Sequence, residues 1–194
     1  ILLTTNVKFD QNSANKTADT LKSDILTTLT NYNTNTLTQF DGVFRYSKVT
    51  GLIDNTDSSI LSNITTLKIR KDFTPTLAVS SKYNVYFRNS LYNPHSGHNT
   101  AAGGILESSG FKVSGDSSTV FYLDDDGAGN VRRYSFSGAT RVYSASNQGT
   151  IDYATGSITI NSLSVLSVEN IRGEASSKIE LTNSKNLGGS LSTN

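Results

Sequence analysis

The sequence predicts an α+β fold in which β dominates: two N-terminal helices packed on a small sheet, followed by an antiparallel β meander or sandwich. Three observations predict it. Between residues 18 and 32, apolar side chains recur at spacings of three and four, the period of an amphipathic helix. Several segments alternate apolar and polar residues at period two, the pattern of a half-buried strand. From Gly103 onward such runs recur about every ten residues between Gly, Asp and Asn turns, as in all-β meanders.

The elements follow in order. Val7 and Phe9 alternate with Asn6, Lys8 and Asp10, a short strand. Gln11 to Asn15 is a polar turn, and Asn15 is placed to cap a helix. Ala18, Leu21, Ile25, Leu29 and Tyr32 form that helix's apolar stripe, and the NTNT run at 33–36 is expected to end it. Its threonines are poor helix formers, so tertiary packing must hold it. Ser47 is the expected cap of a second, short helix with Val49, Leu52 and Ile53 inward. Strands follow at Leu67–Arg70 and Tyr83–Arg88 and are expected in the same sheet, with Pro75 and Pro94 in the loops around them. Val120–Leu123 and Tyr134–Phe136 flank the loop DDDGAGN at 124–130 as a hairpin. Arg141–Ala145, a hairpin of Ile151–Tyr153 and Ile158–Ile160 around ATG, Leu163–Val168 and Lys178–Leu181 complete the meander. The expected core is Leu21, Ile25, Leu29, Leu52, Ile53, Leu67, Ile69, Val85 and Phe87. As domains, we expect an α+β unit at 1–98 and a β-rich unit at 99–182, either following the first or inserted into it. Residues 183–194 read as a tail or a discontinuous segment.

Composition narrows the function. The chain has 194 residues and a net charge of +1, against the basic excess of a general nucleic-acid binder. It has no cysteine, which excludes disulfides, thiolate metal sites and Cys nucleophiles. Its apolar runs are too short to span a membrane. Ser, Thr and Asn number 28, 24 and 19, so polar, uncharged surface is abundant. Charged residues are only 17%, below the usual quarter. The chain begins at Ile1 and contains no methionine, so a fragment of a longer protein is expected.

No motif assembles a reaction centre. His95 and His98 could supply two imidazoles to a metal, but no third ligand is near in sequence. A polar loop is the favoured reading. Asp124, Asp125 and Asp126 are consecutive, unlike the alternate ligands of a calcium loop, and read as a turn. Arg132 and Arg133 then balance their charge at the surface. Lys68, Arg70 and Lys71 read as a solvated face rather than a phosphate-binding strip. There is no nucleophile elbow and no phosphate loop. With no catalytic residue, metal site or cofactor to assign, the candidate functional residues are interfacial aromatics: Tyr32, Phe40, Phe44 and Tyr46.

FDGVFRYSKVTGLIDNTDSSILSN at 40–63 resembles the baseplate wedge protein of T-even-like contractile-tailed bacteriophages, a family related to baseplate J-like proteins. KIRKDFTPTL at 68–77, YNPHSGH at 92–98, GGILESSGF at 103–111, DDDGAGNVRRYSFSGATRVY at 124–143 and GTIDYATGSITINSL at 149–163 are also similar to it, in order. After IELT at 179–182 the chain departs from the family, which continues with an apolar, proline-containing stretch; here NSKNLGGSLSTN follows.

The resemblance implies a non-enzymatic structural protein of the virion, located in the tail baseplate and assembled in the host bacterial cytoplasm. It implies self-association, binding to other wedge and hub-proximal tail subunits, joining of wedges into a ring around the hub, and rearrangement on sheath contraction. No cofactor, nucleic acid or membrane partner is expected. Two readings compete with it: a phage fibre or adhesin-type module that binds glycans, and a tail-associated hydrolase. The β-rich second half and its aromatics favour the first of these; no identifiable acid–base pair supports the second.

Overall fold

The structure, a computed structural model, describes residues 1–98, 100, 103–170, 175–176 and 178–185. Strands hold 48% of the described residues and helices 17%, so the β-dominant α+β class is observed. The chain divides into two units, residues 3–66, and residues 67–194 together with Ile1–Leu2.

In the unit of residues 3–66, strand β1 (Leu2–Phe9) alternates exposed and half-buried side chains along its length. Helix α1 (Ala18–Tyr32) buries Leu21 and Ile25, one turn apart on the predicted stripe. Thr17, not Asn15, is its cap: Thr17 is extended and its hydroxyl accepts from the Thr20 amide at 3.3 Å. The NTNT run does not stop the helix. Asn33–Leu37 widens into a π-helical turn, with the Thr38 amide donating to the Asn33 carbonyl. Threonines 27, 30 and 38 donate their hydroxyls to carbonyls four residues back, which satisfies those groups inside an unfavourable composition.

Helix α2 (Tyr46–Asp54) starts after Arg45, which offers no side-chain cap; the expected cap Ser47 already lies inside the first turn. Val49 and Ile53, four residues apart, are its buried positions, while Leu52 is only half-buried. Strand β2 (Ile60–Phe73) opens at the end of this unit. The core is Ile25, Val49, Ile53 and Ile60, with Leu3, Val7, Phe9, Leu29, Tyr32 and Phe44 packed against it.

The second unit is built from strands. After the continuation of β2 come β3 (Ser81–Tyr86), β4 (Leu106–Ser108), β5 (Phe111–Val113), β6 (Asp116–Asp125) and β7 (Asn130–Ser137). Then follow β8 (Thr140–Asp152), β9 (Ser157–Leu163), β10 (Val165–Glu169), β11 (Ala175–Ser176) and β12 (Ile179–Lys185). The spatial order is β2-β12-β4-β6-β7-β8-β9-β3, with β5 bridging β6 and β10, and β11 on β10. Consecutive β6, β7, β8 and β9 are the predicted antiparallel meander. One connection was not predicted. β3 does not pair with β2 but with β9, Tyr83 opposite Ile160 and Val85 opposite Ile158. The last strand returns to β2, Ile179 opposite Phe73 and Leu181 opposite Lys71.

Leu106, Phe111, Leu123, Val131, Ile158, Ile160, Leu163, Ile179 and Leu181 are fully buried in this unit's core. Val85 and Phe87 join them as expected, and Ile69 packs against them half-buried. The segment expected as a tail begins with Asn183–Lys185 continuing β12; residues 186–194 lie outside the described residues. Gly149 sits where β8 passes β9: a Cβ there would overlap the Thr159 carbonyl oxygen, so no larger residue fits without moving a strand.

Candidate functional site

Among the described residues, no group of three or more His, Asp or Glu side chains could hold a metal ion. Among the described residues no helix is long and apolar enough to cross a membrane. Two of the three residues of the predicted basic cluster are ion-paired to neighbouring acids. Lys68 meets Glu107 at 2.6 Å, and Arg70 meets Asp72 at 3.0 Å and Glu180 at 3.3 Å.

The aspartate run overturns its sequence reading in part. The turn holds only at Asp126, whose carboxylate accepts from the amides of Ala128 and Asn130 and from the Asn130 side chain. Asp124 and Asp125 are on β6, fully buried. Asp124 takes Arg132 Nε at 2.9 Å, Arg141 Nη1 at 2.7 Å and the Tyr143 hydroxyl at 2.8 Å. Burial pushes its pKa up, while Arg132, Tyr143 and Arg141 pull against that rise.

The two guanidiniums lie over aromatic rings, Arg132 at 4.2 Å from the Tyr143 centroid and Arg141 at 4.6 Å from Tyr134. Tyr134 is also buried, and that burial pushes its hydroxyl up to about 12. Arg132 is therefore not a surface counterion: it and Arg141 neutralise a buried carboxylate, and removing either would strand that charge. Asp125 is a structural organiser. Its Oδ1 accepts from the amides of Ile105 and Leu106 at 2.7 Å each, and its Oδ2 from the Gly127 amide at 3.1 Å and the Tyr153 hydroxyl at 2.6 Å. These acids build the fold rather than a reaction centre.

The four interface candidates all fall in the unit of residues 3–66, and they differ in availability. Tyr32 is half-buried against the core, with its hydroxyl 3.4 Å from the Val43 carbonyl oxygen. Phe44 is half-buried in the same cluster. Tyr46 donates its hydroxyl to the Thr65 carbonyl at 2.6 Å, which ties α2 to β2. Phe40 is 110% exposed.

A built turn holds Phe40 out. The Gly42 amide donates to the Gln39 carbonyl at 3.0 Å, and a Cβ at Gly42 would lie 2.6 Å from the Leu37 carbonyl oxygen. The chain folds back so tightly that only glycine fits there. Four further apolar side chains of this unit are exposed as well: Leu26, Val43, Leu61 and Ile64. Leu61 and Ile64 lie on β2, and strand register alone would not have marked both as outward.

Residues 1–72 match a protein family described as baseplate structural protein gp6, C-terminal domain III. No curated protein matches the chain. The matched segment contains the whole of the unit 3–66 and all four interface candidates. It supports a structural role in a phage baseplate and places the chain in the tail baseplate of the virion.

Proposed function

We propose that this chain is part of a baseplate wedge subunit that acts through its surfaces and catalyses no reaction. It binds further copies of itself and neighbouring wedge and hub-proximal subunits, joins wedges into a ring around the hub, and shifts its contacts when the sheath contracts. The observation that carries this reading is the coincidence of the baseplate match at 1–72 with a compact unit whose Phe40 is held fully exposed. Isolated exposed apolar residues are ordinary, but a fully solvated phenylalanine on a glycine-braced turn has the form of an anchor for a partner's pocket. Stable interfaces bury about 1,200–2,000 Å² in total, and aromatic anchors near their centre carry much of the energy. The near-zero net charge lets identical copies pack without strong repulsion.

The test is size-exclusion chromatography with light scattering on the full chain, alone and mixed with separately purified baseplate subunits. Concentration-dependent self-association and at least one stoichiometric mixed complex support the reading. A chain that stays monomeric and binds none of them contradicts it.

A second reading, glycan binding, rests on the aromatic ladder of Tyr122, Tyr134, Phe136 and Tyr143, whose ring centroids are 5.4–5.8 Å apart and of which Phe136 and Tyr143 are exposed. A glycan array decides it: binding lost in Phe136→Ala supports it, and no binding removes it.

A further inference from the structure

We propose, resting on the self-association put forward above, that Phe40 and Asp41 of one copy of this chain dock into the groove between β1 and α1 of a second copy. Phe40 enters the apolar part of the groove, and Asp41 pairs with Lys22 in its lining. Knob and groove both lie in the unit of residues 3–66 and inside the segment that matches the baseplate family.

The groove lies where α1 packs beside β1. Leu3, Val7 and Phe9 share one face of the strand at period two, and Leu21, Ile25 and Leu29 share one stripe of the helix. Leu21 and Ile25 are buried, but Val7, Phe9 and Leu29 are only half-buried. Between them stays a cleft of about 390 Å³. Leu26 lines the same cleft although it is 57% exposed, and exposed Lys22, one helical turn before it, adds the single charge of the lining. Filling the cleft with an apolar side chain removes this residual apolar area from water.

The knob is held ready. The Thr38 hydroxyl and the Gln39 side-chain amide both donate to the Thr34 carbonyl, at 2.7 and 3.2 Å. The Gly42 amide returns to the Gln39 carbonyl, which makes Phe40 and Asp41 the two central residues of a tight turn. An aromatic ring already presented on a braced turn loses little freedom when it docks.

The two surfaces match in chemistry. The groove is apolar with one cation, and the knob is a phenyl ring followed by one anion. Neither Lys22 nor Asp41 has an ion-pair partner among the described residues. Consecutive residues are about 3.8 Å apart along the chain, so an occupant that buries Phe40 brings its own carboxylate to the lysine. Phe40 is fully exposed in its own chain, so its own groove does not take it. A second copy therefore supplies what each surface lacks. Exposed Val43 beside the knob and Leu26 beside the cleft add apolar area around that anchor.

The experiment is light scattering and sedimentation of the full chain as Phe40→Ala (knob removed), as Leu26→Glu (groove spoiled), and as an equimolar mixture of the two. Both positions are exposed, so both variants should keep the parent's melting temperature. The expected result is self-association weakened about tenfold or more in each variant alone. The mixture should recover a 1:1 pair, because one partner still offers a knob and the other a groove. Lys22→Glu and Asp41→Lys, tested singly and together in one chain, check the charge pairing: each alone should weaken association and the double variant should restore it. A parent that associates while both variants associate equally well, or a mixture that stays monomeric, would overturn the knob-and-groove contact and leave self-association standing. A parent that is monomeric at every concentration would overturn both.

Discussion

Asp125→Ala is expected to be the most damaging single truncation in the β-rich unit. Asp125 is fully buried, and two of its four hydrogen bonds satisfy the amides of Ile105 and Leu106, which are themselves buried. Removing the carboxylate leaves both donors in the core with no acceptor. An unsatisfied buried polar group costs about 1–3 kcal/mol, so the pair costs roughly 2–6 kcal/mol. Against a total stability of about 5–15 kcal/mol this is a large fraction.

Asp125→Asn should cost less, because its carbonyl keeps one side of the pattern, but its amide group then faces either the two backbone donors or the Gly127 amide and Tyr153 hydroxyl. The assay is urea unfolding with hydrogen exchange at the Ile105 and Leu106 amides. At the lower bound, 2 kcal/mol is about a 30-fold change in an equilibrium constant. A midpoint shift worth under 1 kcal/mol, with both amides as protected as in the parent, would refute the reasoning.

Other outcomes follow from the same geometry. Phe40→Ala should leave unfolding within about 0.5 kcal/mol of the parent, since the ring buries nothing, yet weaken self-association measured by light scattering. Ile53→Ala should cost about 2–5 kcal/mol in chemical denaturation, because Ile53 is fully enclosed in the smaller core. Asp57 is held below its ordinary value of 3.8 by the Ser59 amide and hydroxyl and by Lys16, and Asp152 by the Thr155 hydroxyl and the Ala154 and Thr155 amides. Asp116 is held below it by the Thr119 amide and side chain and by Ser118. A depressed folded pKa gives stability that is present above the unfolded value and lost as pH falls through the folded one. The melting temperature should therefore drop below about pH 4, and Asp116→Asn should flatten that slope. Gly149→Ala should separate β8 from β9, read as lost amide protection at Ile158 and Ile160.

Much of the local structure was legible because it is written in short-range spacing. The α1 stripe was found at Leu21 and Ile25 because a period of 3.6 leaves few alternatives, and the β6–β7 and β8–β9 hairpins because Gly and Asp mark their turns. The capping residue was missed by two positions, because Asn15 and Thr17 are equally competent and only the backbone direction decides. Long-range pairing was not legible. β3 joins β9 rather than β2, and polar Asn183–Lys185 extend β12, because ladder hydrogen bonds are made by the backbone and ask little of the side chains.

The division between the units falls inside the continuous strand β2, where no glycine or proline marks it. Asp124 was misread because its partners lie on two other strands. Folding the hairpin about residues 126–129 puts Arg132 opposite Asp124, and that register was the one signal available. At the interface candidates, aromatic identity alone could not separate Tyr46, whose hydroxyl is spent on Thr65, from Phe40, which touches nothing.

The central claim, that this chain works through protein surfaces in a phage baseplate, is tested most directly by light scattering of the full chain with its neighbouring baseplate subunits. The account predicts a defined mixed complex that Phe40→Ala weakens at unchanged fold stability. A chain that remains a monomer beside every baseplate subunit, at concentrations well above those of assembly, would contradict it.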